Sequence, residues 1–397
     1  MKTEDRDMKK NESYIFYVLI IIFFMQQQPG IPSNMYSMFR LTIYLIMFIL
    51  LTYLFINSRT KNLSRLFKAT FILFLFSFLI FVAGVIGGKR DFTNVEEIAI
   101  PLAVLFSSLQ RRLSKENLSN LLVLYFILSF FLSISVVLKY NLNFNISDQY
   151  LVASKNQIGP FLAYGAMLGV YDLSSKERKM HINKLLEIII TGVILMTIVM
   201  MRNRASIVAI IVVLLIIFIK KLCQNLSKKR LIQFMLLILI LATLFQLGMF
   251  DPLFKVLNDA LFLNYNISDI NSLSANRTNI YKAAIDYVRS NPFFGELTSS
   301  YSFTNLYGHA HNYIINKFVM LGLIAGFPFF MYYCYLWVLS FKNFTLSKSN
   351  KLSGMMLLFA LIVSLVEYTY PFGPGASQFL LWFLIGQETR KLSYLRL

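Results

Sequence analysis

The chain has 397 residues, of which 57% are hydrophobic and only 14% are charged. Apolar runs recur along its length and a single soluble core could not bury them all, so the composition excludes an ordinary soluble globular protein. The formal net charge of +19 does not indicate a nucleic-acid partner, because the basic residues are spread over many short hydrophilic segments.

The apolar runs predict an all-α polytopic membrane protein with about twelve transmembrane helices. These helices divide the chain into a first group of nine (residues 1–249), one large loop (250–312) and a last group of three (313–397). The predicted spans are residues 14–28, 38–56, 69–86, 95–109, 121–138, 158–173, 187–201, 205–219, 231–249, 313–341, 353–370 and 377–387.

The distribution of basic residues predicts the orientation in the membrane. Most of the 38 Lys and Arg residues fall in alternate connections, beginning with the N-terminal segment and ending with the C-terminal one. Lys and Arg accumulate in loops that stay in the cytoplasm, so both termini are predicted to be cytoplasmic. The large loop 250–312 then lies on the outer side.

Two outer connections in the first half carry features that bear on function. Gly88-Lys89 lacks the upstream glycine and the Ser or Thr of a phosphate-binding loop, which argues against ATP-driven transport. The connection 139–157 is rich in Asn and Tyr. It could hydrogen-bond a sugar, or it could serve only as a helix start built from Asn and Pro.

A very short outer connection, Arg202-Asn203-Arg204, joins two strongly apolar runs. It holds two arginines close together on the side where the charge bias would not place them. Guanidinium groups bind phosphate oxygens in a bidentate manner and stay charged, so this hairpin suits a diphosphate at the level of the lipid headgroups. The alternative is that both side chains only extend to lipid phosphates.

The second half of the large loop predicts a helix lying along the membrane surface. Residues 276–291 place Ile, Ala, Tyr and Val on one face, with Arg277 near the start and Arg289 near the end. Pro292-Phe293-Phe294-Gly295 then ends the helix.

The loop closes with Tyr307-Gly308-His309-Ala310-His311-Asn312, which contains two of the three histidines. A neutral imidazole can act as a general base near neutral pH, so His309 and His311 are predicted to lie at the centre of the chemistry. Glu367 is a rare carboxylate within a predicted span. It is either functional or a structural partner of Lys317 or an arginine.

A metal site is an alternative use of the two histidines, with Glu296 or Asp286 as a third ligand. The sequence contains no His-Glu-x-x-His motif and no cysteine set, so we predict no metal and no other cofactor. A further alternative is that both histidines are structural residues of a loop edge.

These features resemble the O-antigen polymerase/ligase superfamily of bacterial envelope enzymes. The likeness covers mainly residues 190–340 and includes the helix layout with one large outer loop late in the chain. Three motifs carry the likeness. The first is the arginine hairpin, and the second is Asn276-Arg277-Thr278 followed by Asn291-Pro292-Phe293-Phe294-Gly295. The third is His311-Asn312 with Gly322 ten residues after Asn312.

The resemblance implies transfer of a glycan from undecaprenyl diphosphate at the periplasmic face of the bacterial inner membrane. By position, it implies that His311 activates the acceptor hydroxyl while Arg204 and Arg277 hold the diphosphate. Further substrate-binding residues are then expected around this centre: Arg202, Arg289, His309, Asn312 and Glu367.

The resemblance leaves two branches, and a polymerase that joins lipid-linked repeat units is favoured. Ligases, which transfer the polymer to lipid A core, often have Leu where Val208 stands and Gly, Thr or Tyr where Ala325 stands. A polymerase is expected to work with a chain-length regulator.

A transporter of lipid-linked sugars is a third possibility, but such proteins usually carry binding groups at the bilayer midplane. A sensor or scaffold without chemistry is argued against by the His and Arg cluster.

Overall fold

The computed structural model describes residues 10–57, 64–87, 93–110, 113–140, 152–175, 178–224, 243, 246, 277–299, 302–344, 352–373 and 376–393. Within these ranges the chain forms thirteen α-helices and one short 3-10 turn, and none of these residues lies in a β-strand. This agrees with the predicted all-α class.

Eight helices precede residue 250, and five helices lie in the described residues after it. The first eight are α1 (Lys10–Gln26), α2 (Ser33–Asn57), α3 (Arg65–Ile86), α4 (Thr93–Gln110), α5 (Lys115–Tyr140), α6 (Val152–Ser174), α7 (Lys184–Met200) and α8 (Arg204–Gln224). The others are α9 (Arg277–Ser290), α10 (Phe303–Tyr307), α11 (Tyr313–Phe344), α12 (Leu352–Val363) and α13 (Ala376–Ser393), with the 3-10 turn at Gly295–Leu297 before α10.

Four of the described helices are long and apolar enough to cross a membrane, namely Ser33–Leu50 within α2, then α3, α5 and α11. The outer faces of α2 and α3 expose large apolar side chains such as Leu41 (69%) and Ile72 (66%), as expected for helices that contact lipid. Twelve spans stay a prediction, and the predicted span 231–249 lies almost wholly outside the described residues.

The buried core lies where α13 packs along α4, α6 along α7, and α12 against α11 and α8. Its largest fully buried side chains include Trp382, Tyr125 and Tyr164. Trp382 fixes the chain just before α13, because its indole Nε1 donates a hydrogen bond to the Pro371 carbonyl at 3.0 Å and its ring stacks on Phe372.

The predicted span 353–370 was wrong at its C-terminal end, because α12 stops at Val363. The next carbonyl groups are bound by another element instead of continuing the helix. The Ser364 carbonyl accepts from the Tyr313 backbone N–H at 3.0 Å, and the Leu365 carbonyl accepts from the Asn312 side chain at 3.0 Å. Glu367 therefore lies on an irregular segment, residues 364–373, rather than on a helix.

The predicted span 313–341 is also interrupted, because α11 breaks at Gly322 (φ 69°, ψ −176°). The turn at Pro292–Gly295 docks into this break: the Leu323 N–H donates to the Pro292 carbonyl at 2.7 Å and the Ile324 N–H to the Phe293 carbonyl at 3.2 Å. A Cβ atom on Gly322 would lie 2.4 Å from the backbone of Phe293, so only glycine allows this approach. The Pro292–Gly295 turn and Gly322 were predicted as separate motifs, and in the structure they contact each other.

The two ends of α12 define two ends of the helix bundle. At its start, Ser353 bonds to Glu388, which also pairs with Lys179 of the loop between α6 and α7. Past its other end, Leu365 is bonded by Asn312. We call these the Lys179 end and the His311 end.

Candidate active site

The amphipathic helix α9 is held on the bundle by a small apolar cluster of its own. Its buried residues are Ala284 and Tyr287, and they pack with three residues from the segment that follows: Phe303, Ala310 and Val319. The prediction of an amphipathic helix at residues 276–291 is confirmed at Arg277–Ser290. Because α10, the histidine segment and α11 share this cluster, α9 and the histidines are positioned together.

Arg277, Glu367 and His311 meet at the His311 end. Arg277 Nη2 donates to Glu367 Oε1 at 3.0 Å, and His311 Nδ1 lies 3.9 Å from Glu367 Oε2. The Glu367 side chain is 7% exposed, whereas those of Arg277 and His311 are 23% and 33% exposed. Glu367 thus pairs with an arginine and a histidine, while Lys317 has other partners.

Nδ1 of His311 lies on the side of Glu367. It is buried and has no hydrogen-bond partner in the described part of the chain. The imidazole as a whole is one-third exposed. A carboxylate beside Nδ1 favours the tautomer that carries the proton there, which leaves the Nε2 lone pair as the base.

Asn312 and Tyr281 fix the backbone around this group. Asn312 Oδ1 accepts from the Ile315 N–H at 3.0 Å, which caps the start of α11, while its Nδ2 holds the Leu365 carbonyl. The Tyr281 hydroxyl donates to the His311 carbonyl at 3.1 Å and is 3.4 Å from the Leu365 carbonyl. In this structure, Asn312 therefore orders the site through its backbone contacts.

His309 lies beside the same segment and stacks on Tyr368, with ring centroids 4.0 Å apart and an interplanar angle of 23°. Burial is the largest effect and lowers the pKa of His309. The hydrogen bond to Asn316 and the charge of Glu296 oppose it, and the nearby His311 and Lys317 add the smallest effects, both of which lower the pKa. His309 is therefore a neutral ring at neutral pH.

The arginine hairpin forms the turn between α7 and α8. Arg202 has a positive φ of 51° and is 3% exposed, while Arg204 begins α8 and is half-buried. Between them Asn203 caps α8 by accepting from the Ser206 N–H at 2.9 Å, and it packs on Gly159. The role of the two arginines at a diphosphate stays a prediction.

Arg289 lies at the far end of α9. It stands twelve residues after Arg277, which corresponds to about 18 Å along an α-helix. Its side chain is 76% exposed and lies 3.4 Å from Asp286. The structure thus brings His311, Glu367 and Arg277 together, with Asn312 and His309 beside them, and places Arg289 apart.

The residues considered as a third metal ligand have other contacts. Glu296 accepts hydrogen bonds from Ser302 at 3.1 Å and from the Thr304 hydroxyl at 2.9 Å. Asp286 pairs with Arg289. Among the described residues, no group of three or more His, Cys, Asp or Glu side chains could hold a metal ion.

Sequence reasoning missed a second polar group near the histidines. Lys317, 2% exposed, donates from Nζ to Asn94 Oδ1 at 2.6 Å and also pairs with Glu97. Arg40 of α2 pairs with Glu96 of α4. The available signal was the presence of Arg40 and Lys317 inside apolar runs, which is rare enough to demand acidic partners.

Residues 188–330 match a family model described as O-antigen ligase. The matched part contains the arginine hairpin, α9, the Pro292–Gly295 turn, His311 and Gly322, and it ends before Glu367. The match confirms the resemblance to the O-antigen polymerase/ligase superfamily. No curated protein matches the chain.

Proposed function

We propose that the protein is an O-antigen polymerase that joins undecaprenyl-diphosphate-linked oligosaccharide repeat units at the periplasmic face of the inner membrane. The family match supports a glycan transferase of the polymerase or ligase type in a multi-pass membrane protein. The observation that carries the proposal is the contact of Glu367 with both His311 and Arg277. Through Glu367, the proposed base His311 lies close to Arg277, which can bind phosphate.

His311 acts as the general base for the acceptor. The acceptor hydroxyl oxygen attacks the anomeric carbon of the donor sugar while the bond from that carbon to the diphosphate oxygen breaks. The hydroxyl proton passes to His311 Nε2, and undecaprenyl diphosphate leaves with the bonding electron pair. Glu367 holds the proton on Nδ1 and stabilises the imidazolium that forms. The 3.9 Å separation shortens when substrate binds, as catalytic hydrogen bonds commonly do.

Arginines stabilise the charge that develops on the leaving diphosphate. Arg277 uses one nitrogen for Glu367, and a guanidinium group has five N–H donors, so it can bind phosphate oxygens at the same time. Arg204 and Arg202 supply further positive charge from the hairpin. His309 and Asn312 beside His311, and Arg289 at the distant end of α9, complete the set of proposed substrate-binding residues. No nucleotide or metal takes part in this scheme.

An O-antigen ligase is the second candidate, and the description of the matched family favours it directly. Both branches use the same donor and the same groups on the protein. They differ in the acceptor, which is another lipid-linked repeat unit for a polymerase and lipid A core for a ligase. Val208 and Ala325 stand where ligases usually carry other residues, so we favour the polymerase, working with a chain-length regulator.

The test is the lipopolysaccharide gel pattern of a strain that lacks the gene, complemented with wild type, His311→Ala or His181→Ala. A polymerase predicts loss of the ladder with one repeat unit still attached to the core. A ligase predicts a core without O-antigen and polymer left on the lipid carrier.

The two variants separate chemistry from general damage. We expect His311→Ala to lose activity by about 10²- to 10⁴-fold and to give no ladder. His181, exposed in the loop at the Lys179 end, is the matched control, and His181→Ala should restore the wild-type pattern. A normal ladder from His311→Ala would refute its role as the base.

A further inference from the structure

A cavity of about 360 Å³ lies beside the proposed active site at the His311 end. Its walls come from α1, α2, α4, the first part of α11 and the segment 364–373. The volume is at the lower end of the range of about 300–1,000 Å³ that is usual for small-molecule sites. It suits the end of an oligosaccharide rather than a length of polymer.

The charged side chains on the described residues that line the cavity occur in pairs of opposite sign. Arg40 pairs with Glu96, and Lys317 pairs with Glu97. His309 also lines the cavity, and its lowered pKa leaves it neutral at neutral pH. A diphosphate needs uncompensated positive charge, so this lining favours an uncharged ligand.

Hydrogen-bonding groups in the lining are left for a ligand. Gln26 and Gln27 are each 6% exposed and line the cavity. Their side-chain amides make no hydrogen bond to the described part of the chain, and neither does the Tyr368 hydroxyl. Buried amides are normally hydrogen-bonded. Amides and a hydroxyl beside the aromatic rings of Tyr36 and Tyr44 offer both the polar and the apolar contacts that a sugar ring requires.

The cavity is lined by residues that lie close along the chain to His311 and Glu367, the proposed base and the carboxylate that orients it. His309 lines it and stands two residues before His311, and Tyr368 lines it and directly follows Glu367. A ligand in the cavity can therefore present a hydroxyl group toward His311, while the diphosphate of a donor binds at the arginines.

We propose that this cavity, bounded by Gln26, Gln27, Arg40, Lys317 and Tyr368, binds the terminal sugar of the acceptor glycan. The assignment rests on the proposed transfer reaction and selects the acceptor for a physical reason. The donor sugar is attached directly to the diphosphate, whereas the terminal sugar of the acceptor is separated from any diphosphate by the rest of the repeat unit.

The test is equilibrium binding to the purified full-length protein in detergent. One probe is the repeat-unit oligosaccharide released by mild acid from the carrier lipid of the deletion strain. The other probe is undecaprenyl diphosphate without sugar. Gln27→Leu removes an amide that makes no hydrogen bond to the described residues. Gln28 provides the control, because it is not part of the lining and its side chain donates to the Phe24 carbonyl at 3.4 Å.

We expect Gln27→Leu to weaken oligosaccharide binding about tenfold, the worth of one hydrogen bond. Gln28→Leu should bind it like wild type, and all three proteins should bind undecaprenyl diphosphate equally. Tyr368→Phe, which keeps the ring stacked on His309 and removes only the hydroxyl, is the second variant should Gln27→Leu fail to fold.

Three outcomes would overturn the assignment. They are absence of oligosaccharide binding by wild type, equal oligosaccharide binding by wild type and the cavity variants, and a parallel loss of undecaprenyl diphosphate binding. The gel test with His311→Ala is read independently. If the wild-type protein forms the ladder and Gln27→Leu does not change oligosaccharide binding, the proposed function stands and the proposed subsite is refuted.

Discussion

Arginines bind carboxylates at both ends of the helix bundle, and the two clusters are built differently. At the Lys179 end, Arg178 donates to Asp172 at 3.1 Å, to the Ile182 carbonyl at 2.9 Å and to Glu187. Asp172 also accepts from the Met180 N–H at 3.0 Å. These bonds tie residues 178–182 to Asp172 of α6 and to Glu187 of α7.

At the His311 end, the carboxylate is less buried, since the Glu367 side chain is 7% exposed whereas those of Asp172 and Glu187 are 1% and 0% exposed. Glu367 is shared between Arg277 and an imidazole 3.9 Å away, and both partners are partly exposed beside a cavity. Buried carboxylates with many hydrogen bonds fix a backbone, whereas a carboxylate that orients a partly exposed imidazole is arranged for proton transfer. The same chemistry thus serves structure at one end and, we infer, catalysis at the other.

The sharpest test of this contrast replaces one carboxylate at each end by its amide. We expect Glu367→Gln to reduce polymer formation on the order of 10²-fold, because His311 loses the group that orients it and stabilises its charge. Glu187→Gln should keep the activity of the folded protein and lower the free energy of unfolding by about 1–3 kcal/mol. Polymerisation rates and denaturant unfolding in detergent measure the two effects.

A conservative variant separates positioning from loss of fold. Glu367→Asp keeps the charge and should regain part of the activity that Glu367→Gln loses. Equal activities for Glu367→Gln and Glu187→Gln would remove the distinction between the two ends.

A smaller effect is expected from the backbone contact that holds α9 at the His311 end. Gly322→Ala places a Cβ atom in a left-handed conformation and against Phe293. This should cost about 1–3 kcal/mol of stability for the conformation alone and should lower activity by displacing the Pro292–Gly295 turn.

Gly192 in α7 is the matched control, since a Cβ atom there meets nothing within 4 Å. Gly192→Ala should be neutral or stabilise by up to about 1 kcal/mol. Thermal unfolding and the gel ladder measure both variants. A stable and fully active Gly322→Ala protein would show that the docked turn does not position the site.

The smallest effect concerns the pH dependence of stability at the His311 end. Burial lowers the pKa of His309, so the unfolded chain takes up a proton at higher pH than the folded protein. Stability is therefore unaffected above the ordinary pKa of about 6.5 and falls as the pH is lowered below it. His309→Phe keeps a ring on Tyr368 and removes this proton uptake.

Thermal unfolding at pH 8 and pH 5.5 should show a smaller acid loss for His309→Phe than for wild type. The measurement at pH 8 is the internal control, because the histidine is then neutral in both states. An identical acid loss in the two proteins would contradict a lowered pKa for His309.

Hydropathy and periodicity predicted the positions of most described helices, and the amphipathic pattern located α9 to within one residue at each end. They did not predict the break at Gly322 or the end of α12 at Val363. Both lie inside apolar sequence, and both depend on contacts with other elements, the Phe293 backbone and the Asn312 side chain.

For the site, residue types and motifs singled out His311, Arg277 and Glu367, which the structure brings together. The partners of Arg40 and Lys317 were not predicted. Each pairs with α4, more than fifty residues away along the chain, and local spacing does not encode such a contact.

The bond between Trp382 and Pro371 gives the protein an optical reporter. Trp382 is fully buried, and its indole is tied to the segment that carries Glu367 and Tyr368. The chain has only one other tryptophan, Trp337. In a Trp337→Phe background, the emission maximum of Trp382 should shift when that segment moves. Glycan or diphosphate binding could then be followed in real time without a label.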